Sequence, residues 1–162
     1  MLAFKITNLK EFTNQLFIGD TFHPFWFIEG DFTTFNRFSI DGALQKDFFD
    51  TDELADLDRP FSLWKEIQPF CCSVIRGKHT PLNFKIVLQY PVSAMNKVFS
   101  SNLASASPIG ACYLNIQFKN GTLLCTTGVS YKTFIPDKQA EFLWDDLIKR
   151  YFQKHNIEVE SL

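Results

Sequence analysis

The sequence is poor in the signatures that usually announce chemistry. Its 18 acidic and 16 basic side chains nearly cancel, and the net charge of −2 with a pI near 5.9 disfavours a globally basic nucleic-acid binder. No apolar run approaches the ~18 residues that a membrane span needs. Met1-Leu2-Ala3-Phe4-Lys5-Ile6 meets charge before a signal-length apolar core develops. A cytoplasmic, soluble protein with no membrane partner is therefore expected. Cys71, Cys72, Cys112 and Cys125 show no Cys-x-x-Cys spacing, and His23, His79 and His155 are scattered. No metal site or cofactor is expected, and the four thiols should be buried and reduced. Gly128-Val129-Ser130-Tyr131-Lys132 lacks the second glycine of a nucleophile elbow. No catalytic residue is assigned.

Phenylalanine is what the chain has in excess. It supplies 19 of 162 residues, and eight of these fall between Phe22 and Phe49 in a segment that alternates like paired strands. Residues 1–7 alternate as a first strand. Asn8 then caps a helix, with Glu11 placed to close a capping box, and Leu9, Phe12, Leu16 and Phe17 form its apolar stripe before Gly19. Strands follow at 24–31 and 33–41, punctuated by Gly30-Asp31. Asp41-Gly42 turns the chain into a shorter strand through Phe48.

Asp47, Asp50, Asp52, Glu53, Asp56 and Asp58 make an acidic stretch without the Asp-x-Asp-x-Asp-Gly ladder of a calcium loop. A solvated loop carrying one short helix capped by Thr51 is the preferred reading. A cation site or a docking patch for a basic partner is the alternative. Residues 62–76 read as a helix buried on a wide face, which Pro69 either kinks or starts. A strand at 83–90, a short helix to about Ser100 and a polar loop from Ser100 to Gly110 come next. Strands at 111–119 and 122–128 meet at Asn120-Gly121, a strong hairpin signal, and a third strand runs to about Ile135. Asp137 caps the longest helix. Its core face is Ala140, Leu143, Trp144, Leu147, Ile148, Tyr151 and Phe152, with Asp145/Lys149 and Asp146/Arg150 as i,i+4 pairs.

The element order repeats at an offset of about 80. Phe4-Lys5-Ile6 returns as Phe84-Lys85-Ile86, Leu63-Trp64 as Leu143-Trp144, and Asn36 with Asp41-Gly42 as Asn115 with Asn120-Gly121. The fold class expected is α+β, one domain over 1–162. It is built from two pseudo-repeated βαβββ(α) units, 1–80 and 81–162, with mostly antiparallel sheets and helices on one face. Such a pair of units resembles one domain of the DNA sliding clamps. The second hairpin adds to the likeness through Leu114-x-Ile116, Asn120-Gly121-Thr122-Leu123 and Thr126-Thr127-Gly128. Over its full length the chain resembles an uncharacterised family of clostridial cytoplasmic proteins. Phe4-Lys5-Ile6-Thr7, Thr33-Thr34-Phe35-Asn36, Gly77-Lys78-His79-Thr80-Pro81-Leu82 and Asn120-Gly121-Thr122-Leu123 carry that resemblance. That family has no assigned activity, so it implies fold boundaries and no mechanism.

Two candidate sites follow. Arg76-Gly77-Lys78-His79-Thr80 is the densest basic cluster, and with Lys97 it is the expected contact for an anion or nucleic acid. The cluster is not a P-loop, because the upstream glycine is missing and no Ser or Thr directly follows Lys78. Phe25, Trp26, Phe27 and Phe32 are the expected interaction surface. The function expected is a non-catalytic binding or assembly protein with a clamp-like fold. It would form a homo-oligomer, most simply a dimer, through an edge strand or an aromatic patch of the first half. DNA is carried as a candidate partner. The alternative is a small cytoplasmic enzyme or anion-binding protein with its site near Arg76 and His79.

Overall fold

In the computed structural model of the chain, which describes residues 1–102, 109–134 and 138–162, the alternating segments join into one sheet of eight strands. In chain order the elements are β1 (Ala3–Ile6), α1 (Leu9–Phe17), β2 (Trp26–Thr33), β3 (Arg37–Asp41), α2 (Thr51–Asp56), β4 (Ser62–Leu63) and α3 (Trp64–Ile75). They continue with β5 (Asn83–Gln89), α4 (Val92–Asn102), β6 (Ile109–Lys119), β7 (Thr122–Tyr131), α5 (Gln139–Lys154) and β8 (Val159–Ser161). The strands run in the order β3-β2-β5-β6-β7-β1-β8, with β4 beside the start of β2, and every ladder is antiparallel.

Strand alternation decides which face is buried. Phe4 and Ile6 on β1, Phe84, Ile86 and Leu88 on β5, Leu114, Ile116 and Phe118 on β6, and Leu123 and Cys125 on β7 all point to one side and are buried. Helices α1, α3 and α5 pack there. Phe17 of α1 meets Phe84 with ring centroids 5.3 Å apart and Trp64 at 6.1 Å, and Phe152 of α5 meets Phe4 at 5.6 Å, each edge to face. Met95 and Phe99 of α4 join the same core. The opposite face carries Lys5, Lys85, Gln117 and Lys119, all exposed.

The aromatic excess is therefore mostly core. Phe25, Phe27 and Phe32 are fully buried, so they cannot form the interaction surface expected of them, and Trp26 is half-buried. The physical reason lies in β2. A bulge between Phe27 and Glu29 resets the alternation, so Phe27, Gly30 and Phe32 all turn inward. Gly30 does not break the strand. A Cβ there would lie 2.9 Å from the Phe32 ring and 3.1 Å from the Phe27 ring, and its absence makes room for both. The hairpin turn falls instead at residues 34–36, where the Thr34 N–H donates to the Asn36 carbonyl at 2.9 Å.

Gly42 is required by a closer approach. A Cβ at that position would sit 1.9 Å from the Phe27 carbonyl oxygen, because the Gly42 N–H donates to the Ile28 carbonyl at 2.8 Å across the bulge. After it, the expected strand through Phe48 is absent. Ala43 makes a single bridge to Phe61, and Lys46–Phe48 is one 3₁₀ turn.

The helix ends follow local capping. The Asn8 side chain accepts from the Glu11 N–H at 3.1 Å, as expected, but Glu11 does not close the expected capping box and instead accepts from the Gln15 amide at 3.3 Å. The cap of α2 is Asp50 rather than Thr51, in a complete capping box with Glu53. Helix α3 runs unbroken through Pro69, whose missing N–H falls on the exposed side. Asp137, expected to cap α5, lies outside the described residues, as do most of the polar loop before β6 and Ile135 at the end of the expected third strand. Residues 122–131 form one strand where two were expected. On α5 the Asp146–Arg150 pair is formed at 2.9 Å, whereas Asp145 accepts from Thr127 instead of meeting Lys149. Among the described residues no helix is long and apolar enough to cross a membrane.

Neither half shows the expected βαβββ(α) order: the first runs β1-α1-β2-β3-α2-β4-α3 and the second β5-α4-β6-β7-α5-β8. Phe4-Lys5-Ile6 and Phe84-Lys85-Ile86 both lie on strands with the two apolar side chains inward. Trp64, however, opens α3, and Trp144 lies mid-way along α5. Asn36 is in a turn, and Asn115 is mid-strand. Strand β5 pairs with β6 of its own half, while β1 pairs only with β7 and β8. A two-fold relation between the halves would require matching neighbours.

Candidate functional site

Helices α1 and α3 pack side by side and antiparallel, and the reason is chemical. The last carbonyls of a helix have no partner within it. Here Leu16 is served by the Trp64 indole N–H at 2.9 Å and by the Gln68 amide at 2.9 Å, and the same amide donates to Gly19 at 2.7 Å. Trp64 and Gln68 sit one turn apart near the start of α3, so the C-terminus of α1 is locked to the N-terminus of α3. Gln68 spends both amide hydrogens on carbonyls, and its oxygen faces His23 Nε2 at 2.8 Å. His23 therefore donates from Nε2.

That lock puts the first turn of α1 beside the last turn of α3. Between them, and closed at the sheet end by residues 76–81, lies an open groove of about 1000 Å³. Its floor is apolar, from Leu9, Phe17, Cys72, Ile75, Phe84 and Phe118. Its rim carries Lys10, Arg76, Lys78 and His79, all exposed. Glu11 is the one acidic side chain in the lining. Among the described residues none of the four basic side chains is in an ion pair. The positive end of α1 and the negative end of α3 meet here and oppose each other, so the side chains set the sign of the groove.

Arg76, Lys78 and His79 line the groove together, on the turn that leaves α3, where Arg76 is the C-terminal cap. Lys97 is not with them. It lies on α4, in the lining of a second depression of about 490 Å³ with Val92, Met95, Ser100 and Lys132. The bland role of the basic turn, complementing a helix C-terminus, holds as well, because the cations follow α3 directly. Lys10 and Cys72 belong to the site and were not assigned to it from sequence. Only the pairing of α1 with α3 reveals them, and that pairing rests on carbonyl contacts 48 to 52 residues apart. Among the described residues no three His, Cys, Asp or Glu side chains converge as metal ligands.

Fold and groove together define an α+β protein with one antiparallel sheet, a helical layer over it, and a cationic, apolar-floored groove at one end of that layer. The chain belongs to the family of unknown function DUF5721, whose model matches residues 15–160. Membership agrees with the expectation of a family without an assigned activity. No curated protein matches the chain, and no solved structure does.

Proposed function

We propose that the protein is a non-catalytic binding protein whose site is the groove between α1 and α3, and that it holds a short acidic segment of a protein chain. The observation that carries this reading is the combination of four basic side chains, in no ion pair among the described residues, with an apolar floor. A ligand that satisfies both must bring negative charge and an apolar side chain together. An acidic peptide with an aromatic or aliphatic residue does so. Duplex DNA presents phosphates without an apolar anchor, and three or four cations supply only weak, salt-labile contact with it. The groove also merges the two earlier alternatives, since anion binding near Arg76 and His79 becomes the polar half of peptide binding.

The test is fluorescence anisotropy with a labelled peptide of aspartates flanking a phenylalanine. The wild-type chain binds it with an affinity that falls as salt rises. Arg76→Glu/Lys78→Glu weakens binding about thirtyfold, from roughly 1 kcal/mol for each reversed rim charge. An unlabelled duplex oligonucleotide at equal phosphate charge leaves the peptide bound. Displacement by the duplex would transfer the site to DNA, and failure of the peptide to bind at all would end the proposal.

A further inference from the structure

We infer that the groove is occupied by the acidic excursion at residues 45–58 of a second copy of this chain, and that two copies exchange these excursions reciprocally. This rests on the groove reading given above. The excursion is built as a presented segment. None of its residues is buried, yet its base is pinned, because the Leu44 N–H donates to the Pro60 carbonyl at 2.8 Å and Ala43 bridges Phe61. Arg59 fastens the same base to α3 through Glu66 at 2.7 Å. Within it, the two-sided Asp50–Glu53 capping box holds a short helix that has no core to lean on.

Charge and shape match the groove. The excursion holds six carboxylates against one lysine, and only Asp58 is in an ion pair among the described residues. Phe48 projects from it, 84% exposed, with its ring edge against Phe49 at 5.5 Å. A large, exposed aromatic among unpaired carboxylates is the chemistry that a basic rim over an apolar floor accepts. As folded, the excursion stands away from its own groove. Its base is fixed at the N-terminal end of α3 and the groove lies at the C-terminal end, about 18 Å away along twelve residues of helix. A two-fold axis makes such a contact reciprocal, so each copy gives one excursion and receives one.

Sedimentation velocity on the full chain tests this. The wild type is expected to pass from monomer to dimer within about the micromolar range, and the dissociation constant should rise about tenfold or more when salt is raised to several hundred millimolar. Phe48→Ser/Asp47→Lys/Asp56→Lys removes the excursion's chemistry and leaves the groove intact. Arg76→Glu/Lys78→Glu does the converse. Each variant alone should stay monomeric where the wild type is a dimer, and an equimolar mixture should regain association, through one unaltered pair of surfaces and one pair with both charges reversed. A wild type that stays monomeric up to about 200 µM overturns the inference, as does an excursion variant that dimerises like the wild type or a mixture that does not associate. If the acidic peptide still binds the excursion variant while the wild type is monomeric, the groove reading stands and only the second copy is wrong. If the peptide does not bind either, both fall together.

Discussion

Replacing Gln68 with methionine tests the joint that creates the groove. The side chain is buried, donates to Leu16 and Gly19, and accepts from His23. Methionine keeps the length and removes all three bonds. Leu16 retains the Trp64 indole, so its carbonyl is still served. Gly19 loses a bond of 2.7 Å, and His23, which is half-buried, can turn toward water. Stranding one half-buried carbonyl and one half-buried ring costs about 2–3 kcal/mol, and the added apolar burial returns somewhat under 1 kcal/mol. The net loss is about 2 kcal/mol, or roughly 4–8 °C in Tm for a chain of this length. Urea unfolding followed by tryptophan fluorescence measures it, with Gln117→Met on the exposed sheet face as control. Trp64→Phe supplies a sharper check. It should cost more in the Gln68→Met background than alone, because the Leu16 carbonyl then loses its last donor. Strict additivity, or a Gln68→Met loss below about 0.5 kcal/mol, would show that water serves these carbonyls and that the joint is not what holds α1 to α3.

Two other predictions concern backbone space and thiol chemistry. Gly42→Ala should cost more than about 3 kcal/mol, because its Cβ would meet the Phe27 carbonyl at 1.9 Å and backbone cannot yield as a side chain does; Gly30→Ala, which meets only ring atoms, should cost about 1–3 kcal/mol. Equal stability of the Gly42 variant and wild type in urea would refute the close approach. Burial pushes the thiols of Cys71 and Cys112 up to about 12, and Cys125 is raised as well. At pH 8, mass spectrometry after brief iodoacetamide treatment should find Cys72 modified and the other three spared, with bound acidic peptide slowing Cys72. The raised thiols also set a sign. They remain neutral in the fold and ionise once it is lost, so stability holds below their ordinary value of 9.0 and falls as pH climbs from there toward about 12. Four equal alkylation rates would show that the core admits reagent.

What could be read from sequence was whatever depends on neighbours in the chain. The Asn8 cap, the Asn120-Gly121 hairpin with φ of 53° and 74°, the core face of α5 and the extent of β5 all follow from local spacing. Apart from the one-residue shift of the α2 cap from Thr51 to Asp50, the misreadings that follow arise where a distant partner overrides a local signal. Gly30 reads as a turn until Phe27 and Phe32 are seen to need its space. Asp145 reads as a partner for Lys149 until Thr127 is placed beneath it. Strand β8, whose three residues carry little pattern, exists because β1 offers Phe4 and Ile6 as pairing partners. Phe25, Phe27 and Phe32 read as surface because a single alternation cannot tell which face a helical layer will cover.

The site was half legible for the same reason. The basic turn at residues 76–79 is contiguous and visible in sequence, but charge on a turn is not a site. It becomes one only where a floor and an opposite wall exist, and here the wall is the first turn of α1, nearly seventy residues upstream. Two buried side chains of α3, Trp64 and Gln68, bring that wall into place by completing the carbonyls at the far end of α1. The chemistry that satisfies one end of the helix pair thus decides what stands at the other. Loosening the joint at Gly19 should open the groove some 12–15 Å away along α1 without touching any residue that lines its basic rim. Peptide affinity measured on Gln68→Met under conditions where the chain remains folded reads that coupling directly. A threefold or greater loss is expected if the two helices must be held in register to within a side chain's width, because a rim that drifts loses its alignment with the floor. Unchanged affinity would mean that the sheet alone, through Phe17 and Phe84, keeps α1 in place.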